Sequence, residues 1–141
     1  MSRITVRDIM QTKIVTISES DSLSTFEDIM TLGHVRHMPV VRGGLLVGVV
    51  SERDLLRVSL SNLNDFGQDQ RRAFLHAVEI KQVMTAPPIV IEPDATVIEA
   101  AREMAERKIG CLPVTEDEKL VGLVTETDVL RHFAGLPGSV A

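Results

Sequence analysis

The chain has 141 residues, with 15 basic and 20 acidic side chains for a net charge of −5, one Cys, four Phe, and neither Trp nor Tyr. No apolar run approaches the ~18–20 residues of a membrane span, the opening residues 1–7 lack the apolar stretch of a signal peptide, and the single Cys111 forms no internal disulfide, so a cytoplasmic protein is expected. An acidic chain without Tyr or Trp is also a poor general nucleic-acid binder, because phosphate neutralisation and base stacking supply most of that affinity; local basic clusters still suit a small phosphorylated ligand.

From the N-terminus, Ile14 to Ile17 predicts a short strand, and the Ser/Asp-rich turn after it leads into a helix with Leu23, Phe26 and Met30 at helical spacing. The apolar segment Met38-Pro39-Val40-Val41 follows, then a turn at Arg42-Gly43-Gly44 and a strand from Leu45 to Val50 that runs straight into a helix start, Ser51-Glu52-Arg53-Asp54-Leu55-Leu56-Arg57. Ser59 to Gly67 is polar and turn-rich. Asp69 to Val78, with Phe74, Leu75 and Val78 on one face, predicts a short amphipathic helix, docked on its own protein or offered to a partner. Ile89-Val90-Ile91 predicts another strand, and Thr96-Val97-Ile98-Glu99 is a capping box that opens a helix carrying Val97, Ala100, Ala101 and Met104. Leu112-Pro113-Val114, a polar turn over residues 116–119 and a strand from Leu120 to Val124 then lead into Thr125-Glu126-Thr127-Asp128-Val129-Leu130-Arg131, a helix expected to end near Phe133, ahead of the stop signals Gly135 and Pro137.

The two halves repeat one another. At an offset of 74, residues 6–57 align with 80–131 without a gap, and 13 of the 52 pairs are identical, among them Met10/Met84, Pro39/Pro113, Gly48/Gly122, Asp54/Asp128 and Arg57/Arg131. The period is longer than the 20–50 residues of solenoid repeats and there are two copies, so a pseudo-symmetric pair is expected: a first repeat at 1–58, a connector at 59–79, a second repeat at 80–134 and a tail at 135–141.

The doubled Gly-apolar-Val-[Ser/Thr]-Glu-x-Asp, at Gly48 to Asp54 and Gly122 to Asp128, is the strongest candidate for chemistry. Ser or Thr followed three residues later by an acid is itself a capping box. Alternatively, the Gly lets a ligand approach the strand, the helix N-terminus offers N–H groups to an anion, the hydroxyl reaches a phosphate, and the carboxylate accepts from a pair of ribose hydroxyls.

On these residues the chain resembles a tandem pair of cystathionine β-synthase (CBS) domains, a Bateman module. The resemblance rests on Asp8-Ile9-Met10-Gln11-Thr12 and Gln82-Val83-Met84-Thr85, on His37-Met38-Pro39-Val40-Val41 and Cys111-Leu112-Pro113-Val114, and on Leu46 to Asp54 and Leu120 to Asp128. Their order, repeated in register, is what makes it specific. It implies an α+β (α/β-like) fold of two pseudo-symmetric β-α-β-β-α repeats packed through their sheets, commonly assembled as a disc-shaped homodimer. It also implies a regulatory module, without catalytic activity of its own, that binds adenosyl ligands such as AMP, ADP, ATP, NAD or S-adenosylmethionine in clefts between the repeats and signals to a regulated protein. Carried over by motif, Asp54 and Asp128 take ribose hydroxyls, Ser51 and Thr125 lie at the phosphate or ribose side, and Ile14 and Val15 in one cleft and Pro88 and Ile89 in the other wall the adenine, each set serving the nucleotide anchored by the other repeat's Asp.

The repeats differ where charge matters. Arg36 and His37 stand where family members often carry phosphate-binding basic residues, against Gly110 and Cys111 in the second repeat, and Arg53 aligns with Thr127. A guanidinium grips phosphate bidentately, and by pseudo-symmetry Arg53 reaches the cleft anchored by Asp128, which is therefore expected to be the tighter; the bland alternative makes Arg36 and Arg53 solvated surface charges. His34 and His37, three apart, would share a helix face but lack a carboxylate or thiol to complete a metal site, and Cys111 reads as a small buried residue. Two functional classes remain: a nucleotide-sensing module, and a structural interaction protein that keeps the fold without a ligand.

Overall fold

Each repeat turns its polar segment into a helix start. Ser22 Oγ accepts from Thr25 N at 3.3 Å and Thr96 Oγ1 from Glu99 N at 3.1 Å, while the Glu99 carboxylate accepts in return from Thr96 N at 3.0 Å. The helices so opened, α2 (Leu23–Gly33) and α5 (Val97–Arg107), bury Leu23 and Phe26 in one case and Val97, Ala100 and Met104 in the other. The computed structural model describes residues 4–62 and 67–137. Within it the chain forms two units, Val15–Pro88, and Met1–Ile14 together with Ile89–Ala141.

In the unit Val15–Pro88 the sheet order is β1 (Ile17–Ser18), β2 (His37–Arg42), β3 (Leu45–Ser51), with β1 parallel and β3 antiparallel to β2. The chain passes directly from β3 into α3 (Glu52–Asn62), and α4 (Gln68–Ala77) packs on α2. The core is Ile17, Leu23, Phe26, Met38, Val40, Val50, Leu55, Leu75 and Ile80. In the other unit a short helix, α1 (Val6–Ile9), joins α5, the antiparallel pair β4 (Cys111–Glu116) and β5 (Lys119–Thr125), and α6 (Glu126–Phe133) around Val6, Ile91, Leu112, Val114 and Val124. Both hairpins carry a register irregularity at the same step, Val40/Val41 and Val114/Thr115. The expected strand-helix-strand-strand-helix order is present in the unit Val15–Pro88, the other unit has the same order with an isolated bridge at Ile91 in place of the first strand, and α6 ends at Phe133 as the stop signals predict.

Three expectations change. The strand read from Ile14 to Ile17 shrinks to β1, and Ile89-Val90-Ile91 to one parallel bridge between Ile91 and Val114; the chain crosses from one unit to the other at 14/15 and 88/89, and Pro87 and Pro88 lack the N–H a ladder needs. Ser59 to Asn62, read as turn, extends α3, while residues 63–66 of the same segment and 138–141 of the tail lie outside the described residues. His34 and His37 share no helix face, because His34 is the left-handed C-cap of α2 (φ 53°) and His37 opens β2. The amphipathic helix expected at Asp69–Val78 is α4; it faces its own unit, with Leu75 fully buried. No helix among the described residues is long and apolar enough to cross a membrane.

Candidate functional site

The doubled motif folds in the same way twice, and the opening segment of each repeat joins it in the unit built mainly from the other repeat. Gln11 bridges Leu123 on β5 through Gln11 N to Leu123 O (2.8 Å) and Leu123 N to Gln11 O (2.9 Å); Thr85 bridges Val49 on β3 through Thr85 N to Val49 O (2.9 Å) and Val49 N to Thr85 O (3.1 Å). The glycines of the motif admit these segments. A Cβ on Gly48 would sit 2.7 Å from both Met84 Sδ and Thr85 O, and one on Gly122 would overlap Met10 Sδ. Close approach is thus required at Gly48 by Met84 and the Thr85 carbonyl, and at Gly122 by Met10. The identical pairs Met10/Met84 and Gly48/Gly122 carried that signal in the sequence, without telling which Met meets which Gly.

At the end of β3, Asp54 is 5% exposed, and its Oδ2 accepts from Ser51 N at 2.8 Å and Ser51 Oγ at 3.2 Å. At the end of β5, Asp128 is 2% exposed, and its Oδ2 accepts from Thr125 N at 2.8 Å and Thr125 Oγ1 at 2.9 Å, while Asp128 N donates back to Thr125 Oγ1 at 3.3 Å. Both carboxylates therefore cap a helix, where the N-terminal dipole end favours a negative charge. In each the cap holds Oδ2 and leaves Oδ1 outside it. The surroundings of Oδ1 differ: at Asp54 the Arg57 guanidinium stands 3.5 Å away, whereas at Asp128 the Gln11 amide donates to Oδ1 at 3.3 Å and to Oδ2 at 3.1 Å. Arg131, the counterpart of Arg57, donates its Nε to Pro137 O at 2.7 Å. Neither Gln11 nor Arg57 stood out in the sequence, because Gln11 meets its partner 117 residues away and the Arg57/Arg131 identity hides two different uses.

The remaining candidates distribute as follows. His37 lies opposite Ser51 in the β2/β3 register and is half-buried, as Cys111 lies opposite Thr125 in β4/β5. Arg36 is exposed and accepts from Glu52 N through its carbonyl at 2.9 Å, helping to start α3; Arg53 is exposed on the first turn of that helix. Ile14, half-buried, belongs to the unit of Asp128, and Pro88, half-buried, to the unit of Asp54. Val15, 42% exposed, falls in the unit of Asp54, and Ile89 packs on the core of the unit of Asp128. Burial, with the charge of Asp128 adding to it, pushes the Cys111 thiol up to about 12, the opposite of activation. A groove of about 480 Å³ is lined by Ile89, Val90 and Ile91 with Arg102 and Arg107 of α5; neither Thr125 nor Asp128 lines it.

The model of a family described as the CBS domain matches residues 6–61 and again 80–135. An uncharacterized 33.4 kDa protein in a ribosomal RNA operon of Thermofilum pendens is 30% identical over 138 residues, which are 97% of this chain and 46% of that protein, so the chain spans less than half the length of that relative. Among solved structures, the CBS domain pair of protein MJ0100 in complex with 5′-methylthioadenosine and S-adenosyl-L-methionine superposes with a TM-score of 0.79 at 26% identity, covering 95% of this chain and 98% of that one. CBSX2 in complex with AMP superposes with a TM-score of 0.76 at 27% identity, covering 94% and 97%.

Proposed function

This chain belongs to the CBS domain family, and we propose that it is a regulatory module that binds an adenosyl nucleotide and transmits its occupancy to a partner protein. The observation that carries this reading is the pair of buried carboxylates, Asp54 and Asp128, each held at a helix start with Oδ1 outside the cap. A carboxylate so placed offers acceptors to the two hydroxyls of a ribose, with Ser51 and Thr125 beside it. Ile14, Val15, Pro88 and Ile89 supply apolar surface for the adenine, and Arg36, His37 and Arg53 supply charge for phosphate. The complexes of MJ0100 with 5′-methylthioadenosine and S-adenosyl-L-methionine and of CBSX2 with AMP support an adenosyl ligand. Regulation follows if the ligand binds one conformation of the protein more tightly than another.

Because both carboxylates already cap helices, a second reading stands beside it: an interaction protein in which the motif is purely structural. Calorimetric titration with AMP, ATP, NAD and S-adenosylmethionine separates the two. Sensing predicts saturable heat for at least one of them and loss of about 10- to 100-fold in affinity in Asp54→Ala or Asp128→Ala, the worth of a hydrogen bond to a charged group. No heat and no thermal shift with any of the four at millimolar concentration leaves the structural reading.

A further inference from the structure

The two motif carboxylates stand at aligned positions and each accepts from the N–H and hydroxyl of the residue three before it, yet they keep different company. At Asp54 the neighbour of Oδ1 is the Arg57 guanidinium, 3.5 Å away on a side chain that is 67% exposed, an ion pair that solvent screens heavily. At Asp128 the neighbour is the Gln11 amide, whose Nε2 lies 3.1 and 3.3 Å from the two carboxylate oxygens. This amide draws on both oxygens, and so takes up acceptor capacity that a diol binding the carboxylate would use.

Resting on the nucleotide-sensing reading above, we propose that Gln11 is a specificity-determining residue of the Asp128 site: its side-chain amide is a built-in competitor for the ribose diol, so that nucleotide fills the Asp54 site first. This reverses the ranking that the placement of basic residues suggests. Three further observations support it. Position 85, the counterpart of Gln11, makes the same backbone bridge to its strand, but it is Thr, whose polar atom is two bonds closer to the backbone. Arg131, the counterpart of Arg57, is turned to the Pro137 carbonyl, so the amide takes the position beside the carboxylate that the guanidinium takes in the other unit. Asp128 is also among the most buried charged groups, 2% exposed, so a donor lost there is not replaced by bulk water and the exchange of amide for diol is a direct competition.

The test is calorimetry with AMP on the full chain, comparing wild type, Gln11→Thr, Gln11→Ala, Asp54→Ala and Asp128→Ala. The expected result is that Asp54→Ala abolishes the tighter binding of the wild type, while Gln11→Thr and Gln11→Ala each strengthen the Asp128-dependent site by about 10- to 100-fold, the worth of one hydrogen bond to a charged group. The gain must vanish when Asp128→Ala is added to either variant, which assigns it to that carboxylate and not to binding elsewhere on the protein. Two variants are used because Gln11 also pairs with the strand edge; Thr retains strand propensity, and Ala removes the side-chain donor altogether. If AMP binds the wild type but both variants leave the Asp128-dependent affinity unchanged or weaker, or if the tighter site is the one lost in Asp128→Ala, the role of Gln11 is overturned and nucleotide sensing stands. If neither the wild type nor the variants bind AMP, ATP, NAD or S-adenosylmethionine, nucleotide sensing is overturned and the role of Gln11 with it.

Discussion

At Gly48 an added methyl meets two obstacles, Met84 Sδ and the Thr85 carbonyl, both at 2.7 Å; at Gly122 the main obstacle is the Met10 side chain, with Gln11 O further off at 3.1 Å. Gly48→Ala and Gly122→Ala should each cost about 1–3 kcal/mol, the usual range for overpacking, read as a lower denaturant midpoint. Truncating the facing Met should rescue Gly122→Ala more fully than Gly48→Ala, because a side chain yields and a backbone carbonyl does not; equal rescue would contradict the geometry. Cys111 supplies a pH test. Its thiol is raised from 9.0 to about 12, first by burial and then by Asp128, so above pH 9 the unfolded chain loses the proton while the folded chain keeps it. That contribution to stability is complete below about pH 9 and declines as the pH rises toward 12. Chemical denaturation at pH 8 and 10.5 should show a fall in the wild type that Cys111→Ala lessens, and native Cys111 should resist alkylation at pH 8.

Among the elements, the two hairpin turns show how one backbone shape is met by unequal residues. Gly43 and Gly44 have φ of 55° and 83°, and the aligned Asp117 and Glu118 have φ of 53° and 66°. A two-residue turn with both φ positive favours Asn-Gly or Gly-Gly, and a non-glycine residue there is strained by about 1–2 kcal/mol. Asp117→Asn combined with Glu118→Gly should therefore raise stability by roughly 1 kcal/mol, and a lower melting temperature would refute the assignment of strain. For α4 the weight lies in the core: Leu75→Ala should cost about 2–5 kcal/mol, whereas Arg72→Ala, which breaks pairs with Glu27 and Asp28, should cost under about 1 kcal/mol because these pairs are exposed. The longer helices were legible in the sequence because Leu23, Phe26, Val97 and Met104 recur with helical period. The first strand of each repeat was overread because Ile14, Val15 and Ile89 have strand propensity, but their chain segment leaves one unit for the other.

For the molecule as a whole, the 74-residue repeat identified two like parts and the doubled cap motif, but could not show how the parts exchange segments. A gapless alignment is equally satisfied whether Met10 packs on Gly48 or on Gly122, since both partners are identical in both copies; the structure selects the partner in the other repeat. The same ambiguity hid Gln11, whose role depends on a carboxylate distant in the chain. The missing Trp and Tyr give the whole-molecule form of the functional test. With almost no protein absorbance at 280 nm, a nucleotide retained through purification dominates the spectrum near 260 nm, and its release on denaturation, followed by identification, supports sensing; a nucleic-acid contaminant is recognised by nuclease sensitivity.

The exchange of opening segments has a consequence for synthesis. The unit Val15–Pro88 is continuous in the chain and is complete once those residues have left the ribosome, whereas Gln11 must wait for a partner 117 residues downstream. At about 5–20 residues per second that wait is roughly 6–23 s, during which the segment around Gln11 has no strand edge to join, and of the two units the one whose opening segment is made earlier is finished later.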